Sequence, residues 1–445
     1  MALAPHARYV WIACGPGNNG GDGLEAAVQL QAWGKTVSVT LLGRPEQLPA
    51  DAAASYHRAL HAGIRPGDTP PLDWDLCIDA LLGIGSSRSP VGAMAHWIGL
   101  MNQATAPVLC ADLPSGLNAD TGQAAAVCVR ARFSLSLLSL KPGLFTADGR
   151  DHAGQVWFDD LGNESRPSEP QDPAQWHAAA DRPAAWLLGP SARPVRAYAS
   201  HKGSYGDVAV IGGAPGMVGA AVLAASAALH AGAGRVLVGL LGEAPLALDP
   251  TLPELMFRSV ESLDLAGMTV VCGCGGADLV RLHLGHVLSS APRLVLDADG
   301  LNAVAADTQL QALLERRARR GWSTVLTPHP MEAARLLGCT AAQVQQDRLA
   351  AVHQLTQRFA CTVLLKGSGS IIAAPGQTPA INPSGNPRLA SAGTGDVLAG
   401  LVGALLAAAM DPFDAACSAA WRHGACADGW PEGQSLSAAA LARAL

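Results

Sequence analysis

Short apolar runs that pass through glycines or small polar residues into a helical segment recur along the whole chain, and this alternation restricts the fold more than any other feature. Residues 9–13 (YVWIA), 36–42 (TVSVTLL), 75–82 (DLCIDALL) and 107–111 (PVLCA) read as strands, with helical stretches at 25–33, 50–62 and 94–103 between them. A continuous apolar strand followed by a helix is the repeating unit of a parallel, doubly wound sheet. Beyond residue 200 the series begins again, with strands at 207–211, 235–240, 269–272, 294–297 and 324–326 and a small-residue helix at 219–232. Residues 363–365 then run through Lys366-Gly367-Ser368-Gly369-Ser370 into 371–374, which reads as a hairpin. The expected class is α/β throughout, in two domains at 1–165 and 181–445 with a proline-rich polar linker at 166–180. A length of 445 residues suits two cores better than one.

Composition removes several classes of partner. The net charge of −6 gives no basic surface for nucleic acid or an anionic membrane. The longest apolar run, 397–410, is shorter than the ~20 residues of a membrane-spanning helix. The first residues, MALAPHARYVWIACG, lack the apolar core and cleavage site of a signal peptide. Ten cysteines scattered without a paired CxxC read as reduced thiols in a cytoplasmic protein.

Chemistry-bearing residues gather where the expected strands end. The turn CGPGNNGGDGL after the first strand combines five glycines with Asn18, Asn19 and Asp22, and matches neither GxGxxG nor a P-loop. Asp22 either caps the next helix or touches a ribose; the plainer alternative, a strained turn held by Asn and Gly, is disfavoured by five glycines and two asparagines in so short a span. Asp79 ends the third strand ahead of Gly83-Ile84-Gly85-Ser86-Ser87, and Asp112-Leu113-Pro114-Ser115-Gly116 follows the fourth. Loops at the carboxyl ends of parallel strands line one crevice.

In the second half, Gly393-Thr394-Gly395-Asp396 leads directly into an apolar helical segment. Small side chains let backbone amides approach a ligand, and a helix start suits phosphate. A carboxylate there would repel phosphate unless it had a task, and proton abstraction from a hydroxyl attacking phosphorus is such a task. The bland alternative makes Asp396 a helix cap. Asp297 and Asp299 either cap the following helix, the favoured reading, or hold magnesium through water. His329 either faces a ligand or caps a turn.

The pieces GPGNNGGDG, IDALLGIGSSRSP, DLPSG and LKPGLFTADGRDHAG resemble the epimerase domain of the NAD(P)H-hydrate repair enzymes. The resemblance implies a Rossmann-like domain in which Asn18, Asn19, Gly20, Gly21, Asp22, Gly83, Ile84, Gly85, Ser86, Ser87, Arg88, Ser89 and Asp112 contact the hydrated cofactor. Asp112 is the residue chosen for proton transfer at C6. Asn19, Asp79 and Ser115 match the family's potassium ligands, and hard oxygens suit that ion. The family carries helices ahead of its first strand where only residues 1–8 stand here, so weak or lost epimerisation is expected.

HKGSYGDVAVIGGAPGMVGAA, LDADGLNAV, LTPHPMEAARLLG, LLKGSGSII and NPRLASAGTGDVLAG resemble the ADP-dependent dehydratases of the same repair system, within the ribokinase-like superfamily. By that resemblance Lys366, Gly367, Ser368, Gly369, Ser370 and Gly395 bind ADP, while Ala220, Gly275, His329 and Asp396 face the hydrate. Asp396 is the catalytic base and Mg2+ accompanies the phosphates. The family's GPGLG stands here as GCGGA. The implied substrates are NADHX and NADPHX, and the implied assembly is a homo-oligomer. The alternative reading is a kinase of a small vitamin-type alcohol carrying a non-catalytic N-terminal binding module.

Overall fold

The protein is described by a computed structural model covering residues 4–85, 88–162, 183–190, 197–242 and 247–445. Ser86, Ser87 and the linker expected at 166–180 lie outside the described residues. The chain divides into two compact units, Met1–Arg182 and Pro183–Leu445. No helix among the described residues is long and apolar enough to cross a membrane.

Among the described residues the first unit is built on six strands: β1 (Tyr9–Cys14), β2 (Thr36–Leu41), β3 (Leu76–Ala80), β4 (Val108–Ala111), β5 (Phe133–Leu137) and β6 (Gln155–Asp159). They lie in the order β2-β1-β3-β4-β5-β6, and every neighbouring pair is parallel. The chain moves to one side of β1 for β2 and to the other for β3, so the loops after β1 and β3 diverge around a crevice. The apolar runs explain β1 and β3, whose residues Val10–Cys14 and Leu76–Ala80 are buried. Trp11 anchors the core beneath them. It is fully buried, donates Nε1–H to Thr40 Oγ1 at 2.9 Å and packs against Trp74 at 4.7 Å between ring centroids. Strands β5 and β6 fall outside the expected set. FSLSL has no continuous apolar run, and QVWFD is a mostly exposed edge strand.

Among the described residues the second unit carries ten strands: β7 (Trp186–Leu187), β8 (Asp207–Gly212), β9 (Arg235–Leu240), β10 (Met256–Phe257), β11 (Thr269–Cys272), β12 (Arg293–Leu296), β13 (Ser323–Leu326), β14 (Thr362–Leu365), β15 (Ile371–Ala373) and β16 (Ala380–Ile381). Their order is β10-β9-β8-β11-β12-β13-β14-β15-β16-β7. Pairing is parallel from β10 to β14 and antiparallel through the β14–β15–β16 turns, as the hairpin reading expected. The two-residue strands β7, β10 and β16 are too short to leave a periodic signal.

The helix Thr394–Ala407 is apolar on every side because it is buried on every side: of its fourteen residues only Gly395 and Asp396 are not buried. It packs against the helix Val218–His230. A Cβ on Gly400 would stand 2.0 Å from the carbonyl oxygen of Ala224, and one on Gly403 would stand 2.4 Å from Val271 Cγ2. These two glycines set how deeply the helix sits on the sheet, and thereby where its first turn lies.

Candidate active sites

In the second unit, five loops at the carboxyl ends of strands meet around the start of the Thr394–Ala407 helix. The loop after β11 brings Cys274 and Gly275, hydrogen-bonded to the loop after β8 through Gly213 N to Cys274 O at 2.9 Å and Ala214 N to Gly275 O at 2.7 Å. Gly275 has φ +58°, and a Cβ there would meet Ala220 Cβ at 2.8 Å, so Ala220 and Gly275 are neighbours. The loop after β12 brings Asp297, that after β13 His329, and that after β14 Lys366.

Asp396 lies in the helix's first turn but does not cap it. The N-cap is Gly393, at φ +87°. The Asp396 carboxyl hydrogen-bonds the Cys274 thiol, and ligand atoms of Cys274, Asp297 and Asp396 all lie within 4.8 Å of one another. Burial pushes Asp396 up to about 6 and the Asp297 charge adds to this, while the Cys274 bond and Lys366 oppose it. A carboxyl poised there is ionised at neutral pH and retains useful basicity.

Asp297 corrects the capping expectation. It occupies the N-cap position of the helix Ala298–Ala305, yet its side chain makes no capping bond. Instead it accepts from Lys366 Nζ at 2.6 Å and Thr327 Oγ1 at 2.8 Å. The reason is electrostatic: a buried ammonium across the site is a stronger partner than a backbone N–H. Asp299 likewise turns away from its own helix, accepting from Ala277 N at 2.8 Å.

His329 does cap, with Nδ1 accepting from Met331 N at 3.1 Å and Glu332 N at 3.3 Å. Its imidazole remains half-exposed on the same rim as Lys366. Glu332, absent from the sequence-based set, accepts from His329 N at 2.8 Å and lies 3.9 Å from Lys366 Nζ. Burial pushes it up to about 7 against the pull of Lys366. Arg348 was also missed. Fully buried, it donates Nη2 to the carbonyls of Leu365 at 3.3 Å, Lys366 at 3.2 Å and Gly369 at 3.5 Å, holding the Lys366–Ser370 loop from beneath. His423 donates to Thr394 O at 2.9 Å and steadies the helix start. Neither Arg348 nor His423 sits in a glycine-rich or strand-end motif, so no local signal marks them.

In the first unit the glycine-rich stretch divides: Gly15-Pro16-Gly17 are non-helical, and the helix Asn18–Ala32 begins with the first asparagine of NNGGDG, which corrects the expected start at residue 25. Gly20, Gly21 and Gly23 are buried in its first turns, and a Cβ on Gly20 would stand 2.0 Å from Gly15 O. Asp22 is thus within the helix and does not cap it. Asn19 donates Nδ2–H to Leu82 O at 2.8 Å, which ties this helix start to the loop after β3.

Asp79 is fully buried and accepts four bonds from neutral groups. Ser115 Oγ at 2.7 Å and Leu81 N at 3.1 Å reach Oδ1; Ser115 N at 2.8 Å and Cys110 Sγ at 3.3 Å reach Oδ2. Asp112, at φ +71°, forms a buried ion pair with Lys141. Its Oδ2 lies 3.8 Å from the position a Cβ would take on Gly83, which in turn is 3.4 Å from Asn19 Cβ. Burial and the nearby Asp112 charge push Asp22 up. Gly83, Arg88 and Ser89 line a cleft of about 190 Å³ with Leu113, Pro114 and Gly116. Ile84 is exposed on the same loop, and Gly85 follows it.

Comparison with known proteins divides the chain the same way. The family described as YjeF-related protein N-terminus matches residues 1–143, and that described as NAD(P)H-hydrate dehydratase matches 208–445. The bifunctional NAD(P)H-hydrate repair enzyme of Escherichia coli is 38% identical over 436 residues, which is 95% of this chain and 81% of the relative. The ADP-dependent (S)-NAD(P)H-hydrate dehydratase of Neisseria meningitidis is 44% identical over 58% of this chain and 88% of its own length. A solved ADP/ATP-dependent NAD(P)H-hydrate dehydratase from Bacillus subtilis, co-crystallised with ATP and Mg2+, is 29% identical with a TM-score of 0.46, covering 56% of this chain and 91% of that one.

Proposed function

Because the chain belongs to the family of bifunctional NAD(P)H-hydrate repair enzymes, we propose that its second unit dehydrates (6S)-NAD(P)HX at the expense of ADP and its first unit interconverts the R and S hydrates. This chemistry sets aside the kinase of a vitamin-type alcohol. The observation that carries the reading is Asp396, a carboxyl raised to about 6 beside Lys366 at the start of a buried helix.

In the second unit, Asp396 takes the proton of the C6 hydroxyl, whose oxygen attacks the β-phosphorus of ADP. The phosphoanhydride oxygen leaves with AMP. The C6–O bond then breaks as the N1 lone pair moves in, phosphate departs, and loss of a C5 proton completes the reduced nicotinamide. The amides of Gly393 to Gly395 and the helix start stabilise charge on the transferring group. Lys366 to Ser370 hold the nucleotide, and Ala220, Gly275 and His329 form the hydrate's wall.

Asp297 fits Mg2+, and this leaves the Asp396 carboxylate as the base; the ion takes one or two protein carboxylates together with phosphate oxygens. When bound it would neutralise phosphate charge. In the first unit, Asp79 fits K+ with Ser115 and Asn19, because its carboxyl is fully buried and its four bonded partners are all neutral. That ion would offset the buried charge. Asn18, Asn19, Asp22 and the loop from Gly83 to Ser89 bind the hydrated cofactor, and Asp112 transfers the proton. A homo-oligomer is the expected assembly, measurable by light scattering.

The test is incubation of the purified chain with (6S)-NADHX and ADP while the absorbance of reduced nicotinamide is followed. Growth of that absorbance with release of AMP is expected. A stable phosphorylated product, formed faster with ATP and giving no reduced nicotinamide, would instead indicate a kinase.

A further inference from the structure

Asp112 sits at the end of β4 in the left-handed backbone region, uncommon for a residue with a side chain and costly unless the surroundings hold it there. What holds its carboxylate comes from the next crossover. Lys141 is buried, and its Nζ donates to Asp112 Oδ1, to Leu137 O at 2.7 Å and to Ser136 Oγ at 3.4 Å. An ammonium has three N–H bonds, and all three are taken. Leu137 N also donates to Asp112 Oδ1, at 3.3 Å. Oδ1 therefore carries two donors, whereas Oδ2 lies on the side of Gly83, a residue that lines the cleft. A buried ion pair is poor value for stability alone, because desolvating both ions offsets most of their attraction.

We propose that Lys141 is the positioning residue of the epimerase: by occupying Asp112 Oδ1 it fixes the carboxylate and presents Oδ2 to the C6 hydroxyl. The assignment rests on Asp112 being the group that transfers the proton. Oδ2 accepts the hydroxyl proton as the C6–N1 bond opens to a carbonyl, its electron pair staying on N1 in conjugation with C2=C3 and the carboxamide; N1 then attacks the opposite face of the carbonyl and Oδ2 returns the proton to the same oxygen, so no net proton is consumed. Asp22, on the Asn18–Ala32 helix, is a charged group close enough to interact with Asp112. Its like charge makes the cation on the far side of the carboxylate more necessary.

The experiment follows conversion of R to S hydrate by chromatography in the full chain, for the wild type, Asp112→Asn, Lys141→Met, Lys141→Arg and Lys141→Ala. Lys141→Met is expected to lower kcat about a hundredfold with KM within about twofold, as for an interaction used only in the transition state. Lys141→Arg is expected to regain most of the rate, and methylammonium to restore part of it in Lys141→Ala. A Lys141→Met enzyme at wild-type rate while Asp112→Asn is inactive overturns the positioning role and leaves the Asp112 reading standing. So does a loss in which Lys141→Arg and methylammonium recover nothing, since a merely structural role predicts that. An Asp112→Asn enzyme at wild-type rate, or a wild type that does not epimerise, overturns the Asp112 reading itself.

Discussion

Lys366 Nζ lies 2.6 Å from Asp297 Oδ1, joining the ends of two strands, β14 and β12, that are separated in the sheet by β13. Both groups are largely removed from water, and the pair brings the Lys366–Ser370 loop to the edge of the Asp396 site. Removing one partner leaves the other as an uncompensated buried charge. Lys366→Met is therefore expected to cost about 3–5 kcal/mol, read as a lowered midpoint in urea unfolding. Adding Asp297→Asn should return part of that loss, which a double-mutant cycle measures directly.

Asp396→Asn keeps the size of the side chain and removes its capacity to take a proton. Dehydration is expected to fall by roughly 10²–10⁴-fold. ADP affinity by titration calorimetry should stay within a few fold, since the amide preserves the helix start and the Lys366 loop. Loss of ADP binding together with turnover would mean that Asp396 acts by holding the loop rather than by accepting a proton.

The pH dependence follows from Asp396 being raised from 3.8 to about 6 by burial and by Asp297. The base works only when ionised, so kcat/KM for dehydration should rise with pH through about 6 and then level. Stability moves the other way. The folded protein binds this proton more tightly than the unfolded chain, so the favourable contribution is present at low pH and lost as pH rises from about 4 to about 6. Asp396→Asn should remove that slope from the difference in unfolding free energy, leaving the contributions of other groups unchanged.

Gly400→Val tests the seating of the buried helix. The added Cβ would stand 2.0 Å from Ala224 O, a backbone atom that cannot rotate away. Overpacking is expected to cost 1–3 kcal/mol or more (an order-of-magnitude figure) and to lower dehydration as the first turn shifts. Gly285→Ala is the control: a Cβ there meets nothing within 4 Å, and alanine is the better helix former. Its melting temperature should stay level or rise.

The alternation of strands, small-residue loops and helices was legible because parallel strands buried on both faces must be written as continuous apolar runs, as in Val10–Cys14. The loops were legible because only glycine and small residues allow a close approach like that at Gly275. Local sequence could not show what a residue meets across the sheet. Asp297 looked like a cap, since its helix follows at once, but Lys366 reaches it from 69 positions away. Arg348 lies in no motif, and Lys141 lies within LKPGLFTADGRDHAG without its partner being readable there, because both act by reaching carbonyls and a carboxylate supplied by other parts of the chain. The sequence by itself determined the strand series and the residue types at the strand ends. Which carboxylate faces which ammonium was decided by tertiary structure alone, since burial and pairing are properties of the folded neighbourhood.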